Sequence, residues 1–184
     1  MTRARLTVLS GPTAVGKGTV VTRLIQEHPE IFVSVSVTTR PPRPAEVDGV
    51  HYHFVSEAEF DALIAEGALL EWATVHGVYR YGTPGGPVQQ ALDEGRPALL
   101  EIDLQGARQV KANCPEARFV FLTPPSWEEL VRRLVGRGTE SVVQQQRRLE
   151  TARAELAAQT EFDYVVVNRE IGQAVEDLVT LVRL

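Results

Sequence analysis

The chain has 184 residues, 43% of them hydrophobic and 23% charged, with a formal net charge of −5. That length buries a core without covalent staples, and the single cysteine, Cys114, excludes an intramolecular disulfide framework. Neither a leading apolar run nor an 18-residue apolar stretch occurs, which predicts a cytoplasmic protein without a membrane span, and the acidic balance argues against a general nucleic-acid partner.

No repeat, low-complexity tract or flexible linker interrupts the chain, so the pattern predicts one domain with inserted subregions. Apolar runs of strand length stand at Leu6–Leu9, Ala98–Ile102, Phe119–Leu122 and Tyr164–Val167, each followed by a turn signal and a helical pattern. Continuous runs of this kind suit a buried parallel sheet. After the first run comes Gly11-Pro12-Thr13-Ala14-Val15-Gly16-Lys17-Gly18-Thr19, a G-x-x-x-x-G-K phosphate loop in its strand-to-helix context. Backbone N–H groups and the helix N-terminus cradle a phosphate there, and Lys17 reaches the β- and γ-phosphates. Gly18 stands where a magnesium-binding hydroxyl is usual, so Thr19 is expected to contact phosphate and Mg²⁺ to be held mainly by phosphates and waters.

The first helix is predicted from Lys17, with Val20, Val21, Leu24 and Ile25 on one face and Pro29 as its stop. A strand is predicted over Phe32–Thr38, where valines at 33, 35 and 37 alternate with hydroxyl residues that are available to a ligand. Arg40 and Arg43 follow, separated by prolines that stiffen the loop, and paired guanidinium groups suit a second phosphate site. Between Thr39 and Gly86 the pattern reads as an α+β insertion carrying substrate, with a strand at Leu70–Val75. Ser56 with Glu59 and Ser126 with Glu129 are capping-box signals.

Leu99–Asp103 ends in acid, and period-two alternation predicts Glu101 and Asp103 on one face of a strand, as at a Walker B position. Arg132, Arg133, Arg137, Arg147 and Arg148 form the densest positive charge, and Glu128 and Glu129 offer ordinary helical ion pairs to the first two. Val175, Leu178, Val179 and Val182 mark the apolar face of a last helix. His51 and His53 flank Tyr52 without a third plausible ligand, so no zinc site is predicted.

Gly11–Thr19, Ser36–Phe54, Leu70–Thr83, Leu100–Gly106, Arg133–Glu140, Arg148 and Val165–Asn168 together resemble the guanylate kinase family of P-loop nucleoside monophosphate kinases. The resemblance implies an α/β fold: a P-loop NTPase core with a parallel sheet flanked by helices, at about 4–33, 86–125 and 159–184. It also implies an inserted GMP-binding lobe at about 34–85 and a lid at about 126–158. The implied activity moves the γ-phosphoryl group of MgATP to GMP, and to dGMP, with no nucleic-acid or membrane partner and an open oligomeric state. Lys17, Arg133, Arg137 and Arg148 would be catalytic. ATP would meet residues 11–19 (Gly11, Pro12, Thr13, Ala14, Val15, Gly16, Lys17, Gly18 and Thr19), Arg133, Arg137 and Asn168.

By the same resemblance GMP would meet Ser36, Arg40, Arg43, Tyr52, Glu71, Tyr81, Thr83, Asp103 and Arg148; from its Walker B-like position Asp103 could instead orient the water shell of Mg²⁺, or do both. Glu71 suits guanine on chemical grounds, since two carboxylate oxygens match the adjacent N1–H and N2–H donors. Tyr79 competes with Tyr81 because the segment after Glu71 is one residue longer than expected, and Tyr81 is preferred because it adjoins Gly82-Thr83. Arg169 replaces an expected acidic residue beside Asn168. Guanylate-kinase-like modules that bind phosphopeptides are the competing class, and the complete phosphate loop favours the enzyme.

Overall fold

The structure, a computed structural model, describes residues 4–75, 77–135 and 142–184. Arg137 lies outside them. Five strands, β1 (Leu6–Ser10), β2 (Phe32–Val33), β7 (Ala98–Glu101), β8 (Arg118–Thr123) and β9 (Tyr164–Val167), form a sheet in the order β2-β7-β1-β8-β9 with every neighbouring pair parallel. The continuous apolar runs of β1, β7 and β8 have their reason in burial on both faces, whereas the edge strand β9 buries only Val166. Leu9, Leu99, Val120, Leu122 and Val166 point into one core cluster with α1 (Lys17–Glu27) and α7 (Ile171–Arg183), while Val8, Leu100 and Phe119 point into another. That second cluster takes in Val88 of α3 (Gly85–Asp93) and Val110 of α4 (Leu104–Asn113). Val175, Leu178, Val179 and Val182 are buried, as the helical spacing predicts.

The second sheet has the order β4-β3-β6-β5, built from β3 (Val37–Thr38), β4 (His53–Phe54), β5 (Leu69–Val75) and β6 (Tyr79–Pro84). Its β3–β4 pair is parallel and the other pairs antiparallel. Helix α2 (Glu57–Ala65) starts at a complete capping box of Ser56 and Glu59, and its buried Phe60 meets Trp72 edge-on at 6.3 Å. The sheet docks on α4 through Gln109, whose side-chain amide accepts from Trp72 N–H (3.2 Å) and donates to Trp72 C=O (2.7 Å). One side chain thus satisfies the two main-chain groups that a neighbouring strand would take.

Two sequence expectations are corrected here. Phe32–Thr38 is not one strand: it divides into β2 and β3, because Ser34 N–H still bonds Leu99 C=O in the first sheet while Val37 already pairs with His53 and Gly82 in the second. Nor does Asp103 continue the strand of Glu101. It caps α4, its Oδ1 accepting from Gly106 N–H at 2.7 Å, which satisfies one of the unpaired donors at the helix start. At the second predicted box, Ser126 accepts from Glu129 N–H ahead of α5 (Trp127–Val135), while the Glu129 carboxylate pairs with Arg132 and Arg133. Helix α6 (Val142–Ala157) follows the undescribed residues and leads through a short 3₁₀ turn, Ala158–Glu161, into β9. Among the described residues no helix is long and apolar enough to cross a membrane.

Candidate active site

Gly11–Gly16 leaves the C-terminal end of β1, and its path depends on small residues. A Cβ at Gly11 would collide with the carbonyl oxygen of Leu122 in the neighbouring strand. Gly16 (φ 97°) and Ala14 (φ 62°) occupy the left-handed region, which for alanine costs roughly 1–2 kcal/mol. Lys17 Nζ folds back onto Gly11 C=O (2.7 Å) and Pro12 C=O (3.4 Å). Burial lowers the pKa of this lysine, while Glu101, Glu155 and Asp103 oppose that shift with negative charge.

Three elements brace the loop from outside. Val15 C=O accepts from Arg133 Nη1 of α5 (3.0 Å) and from Asn168 Nδ2 just after β9 (2.8 Å), and Thr13 N–H donates to Glu155 Oε2 of α6 (2.8 Å). Asn168 is buried and committed to the loop backbone. Arg133 combines this contact with the Glu129 ion pair that the helical spacing offers. Gly18 and Thr19 are exposed at the start of α1. Arg148 lies half-buried on α6.

Beside the loop is a cavity of about 260 Å³ that brings together Lys17, Ser36, Tyr52, Glu71, Tyr81 and Asp103, all predicted from sequence, with Glu101 and Ile102. Glu71 is 6% exposed and its Oε1 accepts from Thr83 Oγ1 at 2.6 Å across the β5–β6 pair. Burial raises its carboxyl to about 7, the Thr83 bond opposes this, and the Asp103 charge adds to it. Burial likewise raises Glu101, with Lys17 pulling the other way.

Arg40, 8% exposed, donates through Nε to Tyr81 Oη (3.1 Å) and through both terminal nitrogens to Glu46 (2.9 and 3.0 Å). Tyr52 meets Tyr81 edge-on at 5.8 Å and lies 5.4 Å from the Arg40 guanidinium carbon. Tyr81 therefore sits with the cavity group, and Tyr79 at the exposed end of the hairpin opposite Val75. Arg43 is exposed and meets Glu46 through its backbone, its N–H donating to the Glu46 carboxylate (2.7 Å) and its C=O accepting from Glu46 N–H (3.0 Å). The Arg40 and Arg43 contacts hold the Glu46 carboxyl at about 2.

Sequence reasoning did not assign site roles to Glu46, Glu155, Gly106 and Gln109. Their partners are distant or lie in an irregular loop, so no periodicity marks them. Away from the cavity, Glu27, His28 and Glu176 bring possible ligand atoms within 4.8 Å of one another, but Glu27 is paired with Arg23 and His28 lies against Glu30 and Arg183. This is a surface ion-pair network.

A phosphate loop between the first strand and first helix of a parallel sheet, beside a cavity lined by buried acid with Arg40 bonded to its Tyr81 wall, defines a P-loop α/β protein of the nucleotide-kinase kind. A family model described as guanylate kinase matches residues 3–183. The guanylate kinase of Leifsonia xyli subsp. xyli (strain CTCB07) is 64% identical over 179 residues, which is 97% of this chain and 70% of that one. That of Thermobifida fusca (strain YX) is 63% identical over 178 residues, covering 97% and 90%. The crystal structure of guanylate kinase from Anaplasma phagocytophilum superposes with a TM-score of 0.79 at 34% identity, covering 98% of this chain and 85% of that one. The chain belongs to the guanylate kinase family.

Proposed function

We propose that this protein transfers the γ-phosphoryl group of MgATP to GMP, and to dGMP, giving ADP and the nucleoside diphosphate in the cytoplasm. The observation that carries this is the buried Glu71, held by Thr83, in the wall of the same cavity as Lys17 of the phosphate loop. Ionised Glu71 accepts from guanine N1–H and N2–H, with Ser36, Thr83 and Asp103 completing the nucleoside pocket. Adenine presents an acceptor at N1, so a buried carboxylate rejects it strongly. Arg40, Tyr52 and Tyr81 hold the GMP phosphate, and Arg43 joins them from the exposed loop.

On the donor side residues 11–19 wrap the ATP phosphates, and Asn168 serves ATP through its bond to the loop. Arg133, Arg137 and Arg148 stabilise the charge that spreads over the equatorial oxygens during transfer, with Arg148 also reaching the GMP side. The acceptor is a phosphate oxygen already anionic near neutral pH, so no side chain is needed as general base. The donor set fits a hydrated Mg²⁺: Glu101 and Asp103 line the cavity, and Glu101 Oε1 faces the side-chain position of Gly18, where a Cβ would stand 3.9 Å away. These carboxylates would accept from its waters, and the ion would supply charge neutralisation on the phosphates. Residues 34–85 act as the GMP-binding lobe, 126–158 as a lid that excludes water, and the remainder as the core.

Incubation with MgATP and AMP, GMP, CMP or UMP, following ADP release, tests this reading. ADP release with GMP is expected. Preference for AMP would overturn the role of Glu71, and inactivity with all four would favour a phosphate-binding module.

A further inference from the structure

Glu71 and the strand that carries it are fixed from three sides. Thr83 holds Oε1. Gln109 fixes the main chain of the next residue, Trp72, against α4. On the third side lies the first turn of α4, where Gly106 has no side chain. A Cβ built on Gly106 would stand 2.6 Å from Glu71 Oε2, 3.1 Å from its Cδ and 3.3 Å from Asp103 Oδ1.

The first of those separations is closer than real Cβ contacts come, so something must move. The helix backbone is poorly placed to give way: Gly106 N–H is tied to Asp103 Oδ1 at 2.7 Å, and the following Ala107 and Val110 are in the core. Backbone conformation does not demand glycine here. Gly106 is helical, outside the set of positive-φ residues, and alanine is the better helix former. What the missing methyl provides is room.

We propose that Gly106 is a specificity-determining positioning residue: its bare Cα keeps open the space in which the Glu71 carboxylate stands to face guanine. The proposal rests on the reading of Glu71 as the guanine contact. Two adjacent purine donors require two acceptor oxygens in a fixed plane, and a carboxylate pushed from that plane meets at most one of them. Hypoxanthine has the N1–H but lacks the exocyclic amine, so displacement penalises GMP more than IMP.

The test is a double-mutant cycle with the wild type, Gly106→Ala, Glu71→Ala and the double variant, measuring Kd for GMP, IMP and MgATP by calorimetry with Tm recorded alongside. Gly106→Ala is expected to weaken GMP at least tenfold, to narrow the GMP-over-IMP preference, and to leave MgATP within twofold. In the Glu71→Ala background the same change should alter GMP less than twofold, because the crowded carboxylate is gone. An equal loss in both backgrounds, or unchanged GMP binding in Gly106→Ala, overturns the proposal. If Gly106→Ala fails to fold, a folded double variant still supports crowding of Glu71, and an unfolded one overturns it. Failure of the underlying reading looks different: Glu71→Ala alone would keep the preference for GMP over IMP.

Discussion

Burial raises the Glu71 carboxyl to about 7 against the hold of Thr83 and with help from Asp103, which gives the candidate purine pocket a titration near neutrality. Because the folded state binds this proton more tightly than the unfolded state does, the group lowers stability as pH rises from about 4.5 to about 7, by an amount on the order of 3 kcal/mol. Guanine binding has the opposite sign, since only the ionised carboxylate accepts both purine donors. Kd for GMP should therefore tighten roughly tenfold from about pH 6 to about pH 8, as the competent fraction grows. The phosphate of GMP also titrates, near pH 6, so calorimetry on Glu71→Gln supplies the control; identical pH slopes in wild type and variant would remove the assignment. Glu71 was marked by the family resemblance, with its match to the guanine donors in support, and strand alternation alone did not show that it is buried beside α4. Arg40 and Arg43 look equivalent in sequence, on either side of Pro41-Pro42. The fold separates them: Glu46 takes the Arg40 guanidinium but only the backbone of Arg43, a choice made by loop geometry.

At the scale of elements, the phosphate loop depends on α5 and the end of β9 converging on the Val15 carbonyl. Asn168→Ala removes the buried member of that pair and leaves Arg133. The expected cost is about 1 kcal/mol of stability, seen as a lower Tm, with KM for ATP rising several-fold and KM for GMP changing less than twofold. Equal changes in both constants would place Asn168 in general stability instead of loop support. The loop itself was legible because its glycines, lysine and flanking strand are contiguous, and β1, β7, β8 and β9 because both faces are apolar. The break between β2 and β3 was hidden, since the valine alternation continues through it while the partners that end one strand and begin the next, Leu99 and Gly82, come from elsewhere in the chain. Asp103 was misplaced on a strand for a related reason: alternation carries past Glu101, but the Asp103 side chain turns to the start of α4 and accepts from Gly106 N–H.

Over the whole molecule, 17 of the 19 basic residues are arginines, and among the described residues many of these are matched to acids. Arg23 pairs with Glu27, Arg80 with Glu57 and Asp61, Arg108 with Glu161, and Arg183 with Glu30, mostly at exposed positions where each pair is worth little. Arg40 and Arg133 differ in being tied into the cavity wall and the phosphate loop, a distinction that composition does not carry. The cavity takes Lys17 from α1, Glu101 from β7, the α4 cap from Asp103, and Glu71 and Tyr81 from the second sheet. A nucleotide bound there touches residues of both sheets, a set brought together only in the folded state. At about 100 times its Kd, GMP should stabilise the protein by about 2.7 kcal/mol, which for a chain of this size is a Tm rise of roughly 5–10 °C. Calorimetric scans should show that rise in the wild type and lose most of it in Glu71→Ala at the same GMP concentration, while the rise with MgATP persists. An equal GMP shift in the two proteins would mean that the nucleotide binds away from the Glu71 cavity.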